Sequence, residues 1–180
     1  VNRCARAGQK QVDAFGREQN GALERQRVAL FEEARLVGGG VVHALPALGS
    51  GPFYLLNTDS LWVESARPLL DRLAEAWDDT RMDALLVVAS IVSTSGYSGI
   101  GDFLLDAEGR LSRRPERITA PFVYTGCGIL SPRLFEDAPE GPFSLNALFD
   151  RAIEAERLYG LRLDGLWMHV GTPDAIAEAE

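Results

Sequence analysis

The stretch FYLLNTDSLW, residues 53–62, decides the fold because it joins a buried strand to an acidic turn. Apolar residues run from Phe53 to Leu56 and lead directly into Asn57, Thr58, Asp59 and Ser60. A carboxylate at the end of a strand serves either to cap the next helix or to hold a ligand at the rim of the sheet. Taken alone, the stretch favours the capping interpretation for Asp59.

Composition restricts the classes of protein that the chain can represent. With 180 residues, a net charge of -8 and 46% hydrophobic residues, it suits one globular α/β domain with a sizeable core. The acidic balance excludes a general nucleic-acid binder, and no apolar run is long enough to cross a membrane. Cys4 and Cys127 have no paired spacing, which argues against a disulfide framework and favours a reducing cytoplasm.

Strand patterns alternate with helix patterns on both sides of residues 53–62, which predicts a three-layer α/β fold with a mostly parallel sheet covered on both faces. The predicted strands are PFYLLN (52–57), MDALLVVAS (82–90) and APFVYTGCGIL (120–130), with a hairpin in GDFLLDAEGRLSRR (101–114) and a strand pair in GLRLDGLWMHVG (160–171). The predicted helices are SARPLLDRLAEAW (65–77), SLNALFDRAIEAERL (144–158) and TPDAIAEAE (172–180).

Residues 1–37 differ in texture from residues 38–180 and are expected to form a separate helical segment. They are rich in Arg, Gln and Glu, and their pattern predicts one or two amphipathic helices interrupted near Gly21. From Gly38 onward the chain is expected to form the α/β domain.

Two short motifs have competing interpretations. Gly38, Gly39 and Gly40 open a short helix, where glycines can let the backbone approach a ligand, although a plain turn is the interpretation that the local sequence favours. His169 precedes a helix start at Thr172, and a lone histidine is more often structural than a ligand. Only two histidines occur in the chain, which argues against a zinc site.

In their order along the chain, these motifs resemble the sugar-1-phosphate nucleotidylyltransferases, and most closely the bacterial branch with the N-acetylmuramate 1-phosphate uridylyltransferases and proteins labelled mannose-1-phosphate guanylyltransferase. The matching segments are GGGVVHALPALG, FYLLNTDSLW, GIGDFLLDAEGRL, APFVYTGCGILSPRLFEDAPEGPFSLNALFDRAIE and GLWMHVGTPDAIAEAE. The resemblance implies a Rossmann-like nucleotidyltransferase fold and transfer of a nucleotidyl group from an NTP to a sugar 1-phosphate, in nucleotide-sugar biosynthesis for the cell wall.

The resemblance also implies roles for individual residues. Asp59 matches the strand-end Asp that binds catalytic Mg²⁺, with Mn²⁺ as a possible substitute, and His169 lies where many relatives place a second metal-binding Asp. The implied nucleobase contacts are Gly38, Gly39 and Gly40, and the implied sugar contacts are Gly101, Asp102, Thr125 and Gly126. Such an in-line transfer needs positioning and charge neutralisation rather than a protein nucleophile.

The chain departs from the family in its phosphate-binding elements. The Gly-rich loop L-A-A-G-x-G-x-R and the Pro-Lys that follows it find no match, so an N-terminally truncated domain with little activity on its own is expected. Arg113, Arg114 and Arg117 are candidates for phosphate contacts, although a solvated charge run is the favoured interpretation. The alternative functions are a non-catalytic remnant that binds a sugar or nucleotide and, disfavoured by the absence of an Asp-x-Asp motif, a glycosyltransferase.

Overall fold

The computed structural model of the chain describes residues 28–31 and 37–179, which form two β-sheets with four α-helices. The strands are β1 Val28–Phe31, β2 Phe53–Asn57, β3 Ser60–Glu64, β4 Ala84–Ser90, β5 Thr94–Ser95, β6 Phe103–Leu105, β7 Leu111–Arg113, β8 Phe122–Leu130, β9 Leu158–Arg162 and β10 Gly165–His169. The helices are α1 Val37–Leu48, α2 Leu69–Ala76, α3 Asn146–Glu154 and α4 Pro173–Ala179. Within these ranges no helix is both long enough and apolar enough to span a membrane.

The larger sheet has the order β1-β2-β8-β4-β9, and the β6–β7 hairpin attaches to β8. β1 is parallel to β2 and β9 is parallel to β4, whereas β8 is antiparallel to both of its neighbours. Four of the five strands on this path therefore point the same way, as the strand–helix alternation predicted. The smaller sheet has the order β3-β10-β5.

Strand β4 shows why the domain has three layers. All of its residues from Ala84 to Ala89 are at most 2% exposed, and their side chains alternate between two hydrophobic clusters. One cluster contains residues of α1 and α3, such as Val41 and Phe149, and the other contains Leu73 of α2. Because both faces of the sheet are covered by helices, the strand lacks the polar alternation of a half-exposed strand.

The helical prediction for the N-terminal segment is wrong at residues 28–31. These residues form β1 and pair in parallel with β2, from Val28 beside Tyr54 to Phe31 beside Asn57. A run of four apolar residues cannot be assigned to helix or strand by periodicity, and here the open edge of β2 selects the strand. The remainder of the predicted N-terminal helices lies outside the described residues, and the division at residue 37 stays a prediction.

The three glycines belong to helix α1, so the plain turn is the wrong interpretation of this motif. A Cβ at Gly38 would lie 2.4 Å from the Phe143 ring, and one at Gly39 would lie 2.5 Å from the Gly141 carbonyl oxygen. The Gly38 amide also donates to the Phe143 carbonyl at 3.1 Å. The glycines therefore let the segment before α3 pack closely against the first turn of α1, which offsets their low helix propensity.

Candidate active site

A cleft of about 290 Å³ lies over the first half of β8, where β2 and β10 end near the β6–β7 hairpin. Five residues that the resemblance singled out line it, namely Asp59, Asp102, Thr125, Gly126 and His169. The other predicted site residues lie elsewhere: Gly39 and Gly40 line a separate apolar groove, and Gly38 and Gly101 line neither. The topology thus gathers residues that are up to 110 positions apart in the sequence.

Asp59 lies in a tight turn between two strands. β2 ends at Asn57, Thr58 and Asp59 form the turn, and β3 begins at Ser60. The capping interpretation of Asp59 is therefore wrong, because the residue is followed by a strand and has no helix to cap. The Asp59 carbonyl accepts a hydrogen bond from the Val170 amide at 2.8 Å, which joins this turn to the end of β10.

Asp59 and His169 face each other at the mouth of the cleft. His169 Nδ1 lies 3.9 Å from Asp59 Oδ2, and the two side chains are 37% and 33% exposed. A Cβ on Gly171 would lie 2.9 Å from His169 Nε2 and 3.6 Å from the Asp59 Cβ, so this glycine leaves room for the pair. Within the described ranges, no group of three or more His, Cys, Asp or Glu side chains is placed so that it could hold a metal ion.

Strand β8 forms the floor of the cleft and is interrupted at Thr125 and Gly126. Its pairing with β4 shifts register between Leu86 and Val88, and Gly126 has a φ of 79°, which L side chains rarely adopt. The Thr125 hydroxyl donates to the Val87 carbonyl at 3.0 Å, inside the sheet. If Thr125 contacts the sugar as predicted, it would therefore do so through atoms other than the hydroxyl hydrogen.

Asp102 connects the hairpin to the floor of the cleft. Its Oδ2 accepts a hydrogen bond from the Tyr124 amide at 2.9 Å, and its own amide donates to the Phe122 carbonyl at 2.7 Å. The preceding Gly101 has a φ of 78° and donates its amide hydrogen to the Tyr97 hydroxyl at 3.1 Å. Burial and the nearby Asp102 charge raise the pKa of Tyr97, so its hydroxyl keeps its proton at neutral pH.

The sequence did not indicate the hydrogen-bonded chain that holds the smaller sheet against β8. Trp167 is 4% exposed, and its indole nitrogen donates to the Ser60 hydroxyl at 2.6 Å. Ser60 in turn donates to the Thr125 carbonyl. Because Ser60 follows Asp59 directly, these two hydrogen bonds fix the turn that carries the Asp59 carboxylate. The only signal of them in the sequence is a Trp two residues before the strand-end His169.

The three arginines of the predicted charge run have different surroundings. Arg113 lines the cleft, whereas Arg114 Nη1 donates to the carbonyls of Pro115 and Ile118 in its own loop, both at 3.1 Å. Arg117 is exposed and has a φ of 62°. The solvated interpretation therefore does not describe Arg113, which is one of the residues of the candidate site.

Comparison with known proteins identifies relatives of the chain. The chain is 43% identical over 158 residues to the N-acetylmuramate alpha-1-phosphate uridylyltransferase of Caulobacter vibrioides, an alignment that covers 88% of this chain and 64% of that protein. The chain is a homologue of the sugar-1-phosphate nucleotidylyltransferases. It therefore spans slightly less than two thirds of the length of this curated relative. No protein-family model matches it.

Two further comparisons concern a second relative and the fold. A probable mannose-1-phosphate guanylyltransferase 2 of Arabidopsis thaliana is 30% identical over 130 residues, which are 69% of this nucleotidylyltransferase homologue and 34% of the plant protein. The crystal structure of a UDP-glucose pyrophosphorylase complexed with UDP-glucose superposes with a TM-score of 0.62 at 16% identity, covering 82% of this chain and 61% of that one. The predicted nucleotidyltransferase fold is thereby confirmed.

The Cys127 thiol of this nucleotidylyltransferase homologue is expected to be unreactive in the folded chain. The residue is 0% exposed in β8, and burial raises the pKa of its thiol to about 12, so the nucleophilic thiolate is scarce at neutral pH. In a Cys4→Ser variant, a thiol-titrating disulfide reagent at pH 8 should detect no thiol in the native protein and one in guanidinium chloride. Rapid reaction of the native variant would show that β8 opens readily or that the thiol is accessible.

Proposed function

We propose that the protein transfers a nucleotidyl group from an NTP to a sugar 1-phosphate and releases pyrophosphate. A phosphate oxygen of the sugar attacks the α-phosphorus, the new P–O bond forms, and the bond from the α-phosphorus to the oxygen bridging to the β-phosphate breaks. The observation that carries the proposal is the position of Asp59 in a strand-end turn open to the cleft, on a chain 43% identical to a uridylyltransferase.

The donor set at the cleft mouth supports Mg²⁺ as the cofactor. Mg²⁺ is usually held by one or two carboxylates together with substrate phosphates and retains several waters, so the single carboxylate of Asp59 suits it without a cage of protein ligands. When bound, Mg²⁺ would neutralise charge on the phosphate groups. The imidazole of His169 is a poorer ligand for this ion and suits Mn²⁺ better, so we assign His169 the role of orienting the Asp59 carboxylate.

The finer proposal is that the substrates are UTP and N-acetylmuramate 1-phosphate, in nucleotide-sugar synthesis for the cell wall. It is supported by the Caulobacter relative, whose identity to this chain exceeds that of the plant guanylyltransferase. A cytoplasmic location is proposed with it, because cytoplasmic proteins seldom form disulfides and Cys127 is a free, buried thiol.

The test is a matrix of UTP, GTP, CTP and dTTP against several sugar 1-phosphates, with the nucleotide-sugar product detected by mass spectrometry. The proposal expects product from at least one pair, dependent on Mg²⁺ and absent with the Asp59→Asn variant, at a low rate because these 180 residues contain no match to the Gly-rich phosphate loop. Product that forms equally well with Asp59→Asn would show that the cleft described here is not the active site.

A second candidate is a domain that binds a sugar phosphate without catalysing transfer. It is supported by the absence of a match to the Gly-rich phosphate loop in these 180 residues and by a single lysine, Lys10, in the whole sequence. Amides and cations that face developing phosphate charge contribute about 100-fold or more each to such rates, so their absence would leave little turnover. Sugar 1-phosphate binding in the cleft with no product from any pair would establish this second function.

Substitution of His169 separates an orienting role from a structural one. We expect His169→Ala to weaken Mg²⁺-dependent binding of the sugar 1-phosphate by about 10-fold, as for other residues that support a metal ligand, with little change in melting temperature. His169→Asp should preserve or strengthen it, because a second carboxylate is added at the cleft mouth. Titration calorimetry with and without Mg²⁺ measures both. If His169→Ala binds as the parent does with either Mg²⁺ or Mn²⁺, His169 has only a structural role.

A further inference from the structure

Arg113 is the only Lys or Arg among the described residues that line the cleft. It is the last residue of β7, and its side chain is 34% exposed. The acidic side chains Asp59 and Asp102 line the same cleft. A strongly anionic ligand would therefore meet a cleft in which Arg113 is the one fixed positive charge that the described residues provide.

The Arg113 guanidinium is held in a defined orientation with one edge open. Its Nε donates to Asp150 Oδ1 at 2.5 Å, and its Nη2 donates to the carbonyl and the Oδ1 of Asn146, both at 3.1 Å. The guanidinium carbon lies 4.8 Å from the centroid of the Phe103 ring. Nη1 has no partner among the described residues. Such a planar, pre-oriented group recognises an oxyanion more specifically than a mobile lysine would.

Arg113 and Asp59 lie toward opposite ends of the cleft floor. On one side, Arg113 of β7 lies opposite Phe103 of β6 in the sheet, and Phe103 lies opposite Phe122, the first residue of β8. On the other side, Gly126 adjoins the side chain of Asn57, the last residue of β2 before the Asp59 turn. The four residue steps from Phe122 to Gly126 span about 13 Å of backbone at about 3.3 Å each. Because this backbone span exceeds the size of a phosphate group, we infer that a ligand whose phosphate lies at Asp59 presents its sugar toward Arg113.

We propose that Arg113 binds a carboxylate carried by the sugar and so selects acidic sugar 1-phosphates over neutral ones. The inference rests on the proposed function and names the residue that would determine its sugar specificity. N-acetylmuramate is N-acetylglucosamine with a lactyl ether, and this ether adds a carboxylate. The partner that Arg113 already has, Asp150, is 53% exposed, and an ion pair so open to solvent is weak enough for a ligand carboxylate to compete or share the guanidinium.

The test compares binding of N-acetylmuramate 1-phosphate and N-acetylglucosamine 1-phosphate to the full chain by calorimetry in the presence of Mg²⁺. The parent should bind the acidic sugar more tightly. Arg113→Met should weaken that binding by about 10- to 100-fold, the usual effect of losing a charged hydrogen bond, and should change binding of the neutral sugar less than about twofold. Arg113→Lys keeps the positive charge but not the planar guanidinium. Its affinity for N-acetylmuramate 1-phosphate should therefore lie between those of the parent and of Arg113→Met.

Arg114→Met is the matched control, because it removes the same charge from the adjacent position and the hydrogen bonds of the Arg114 side chain to described residues all lie within its own loop, while its backbone bond to the Asp102 carbonyl is kept. It should leave both affinities unchanged. Equal weakening of both sugars by Arg113→Met would mean that Arg113 contacts the shared phosphate, which overturns the inference and leaves the proposed function intact. If the parent binds neither sugar phosphate, both fail. Should Arg113→Met unfold, equal loss of both sugars in Arg113→Lys would overturn the inference in the same way.

Discussion

Asp59→Asn is expected to abolish most Mg²⁺-dependent binding and any nucleotidyl transfer while leaving the fold intact. A neutral amide is a poor ligand for a hard dication, and Asp102, the other carboxylate among the described residues that line the cleft, already accepts a hydrogen bond from the Tyr124 amide. Because changes to residues that merely support a ligand cost about 10- to 100-fold in metal affinity, loss of the ligand itself should cost at least about 100-fold. Electron paramagnetic resonance of Mn²⁺ with N-acetylmuramate 1-phosphate present measures the affinity without relying on turnover.

The fold should tolerate this substitution because Asp59 lies in a two-residue turn and its carboxylate receives no hydrogen bond from the described residues; its described partner, His169, lies 3.9 Å away. Asn is a common turn residue, so the free energy of unfolding should change by no more than about 0.5 kcal/mol. Asp71→Asn, on the exposed face of α2, is the control that removes a carboxylate elsewhere. An Asp59→Asn variant that unfolds easily yet keeps its Mn²⁺ affinity would assign Asp59 a purely structural role.

Phe149→Ala should produce the largest loss of stability among single substitutions near the cleft. The ring is 1% exposed, belongs to the core cluster shared with α1 and the sheet, and meets the Tyr124 ring edge-on at 5.7 Å. Truncation of a buried Phe to Ala costs about 3–5 kcal/mol through lost burial and a residual cavity. Urea denaturation measures this loss as a reduction in the free energy of unfolding.

Glu154 lies on the exposed side of the same helix, so Glu154→Ala is the control. Its free energy of unfolding should differ from that of the parent by no more than about 0.5 kcal/mol. A Phe149→Ala variant that loses less than about 1 kcal/mol would show that α3 is not packed on the sheet as described.

The strands that face two helical layers could be predicted from sequence, and β10 of the smaller sheet lies within the strand pair predicted at 160–171, whereas β3 could not be predicted. β4 and β8 are nearly continuous apolar runs, a pattern that only a strand buried on both faces has over such a length. β3, in contrast, exposes its apolar residues Leu61 at 48% and Val63 at 55% and has no fully buried residue, so it lacks the buried apolar face by which a strand is recognised in a sequence. Without β3 among the predicted elements, the next predicted element after Asp59 is a helix, which is why the sequence favours the capping interpretation.

The residues of the candidate site could be predicted from the sequence only through the resemblance to a known family. Asp59, Asp102 and His169 carry no common local motif, and they meet because β2, β10 and the β6–β7 hairpin end at one cleft. The glycines of α1 contradict helix propensity, and only their close contact with Phe143 and Gly141 explains them. The sequence could not show that Arg113 lines the cleft and Arg114 does not, because both are arginines in the same run of charged residues.

The central claim, that this cleft binds a sugar 1-phosphate, is tested most directly by the indole N–H signals of the three tryptophans in a nitrogen-15 spectrum. Trp167 lines the cleft, whereas Trp77 packs in the cluster between α2 and the sheet and does not line it. Titration with N-acetylmuramate 1-phosphate and Mg²⁺ should move the Trp167 signal saturably and leave the Trp77 signal in place, with each signal assigned by Trp→Phe substitution. A Trp167 signal that does not move at saturating ligand would contradict the account.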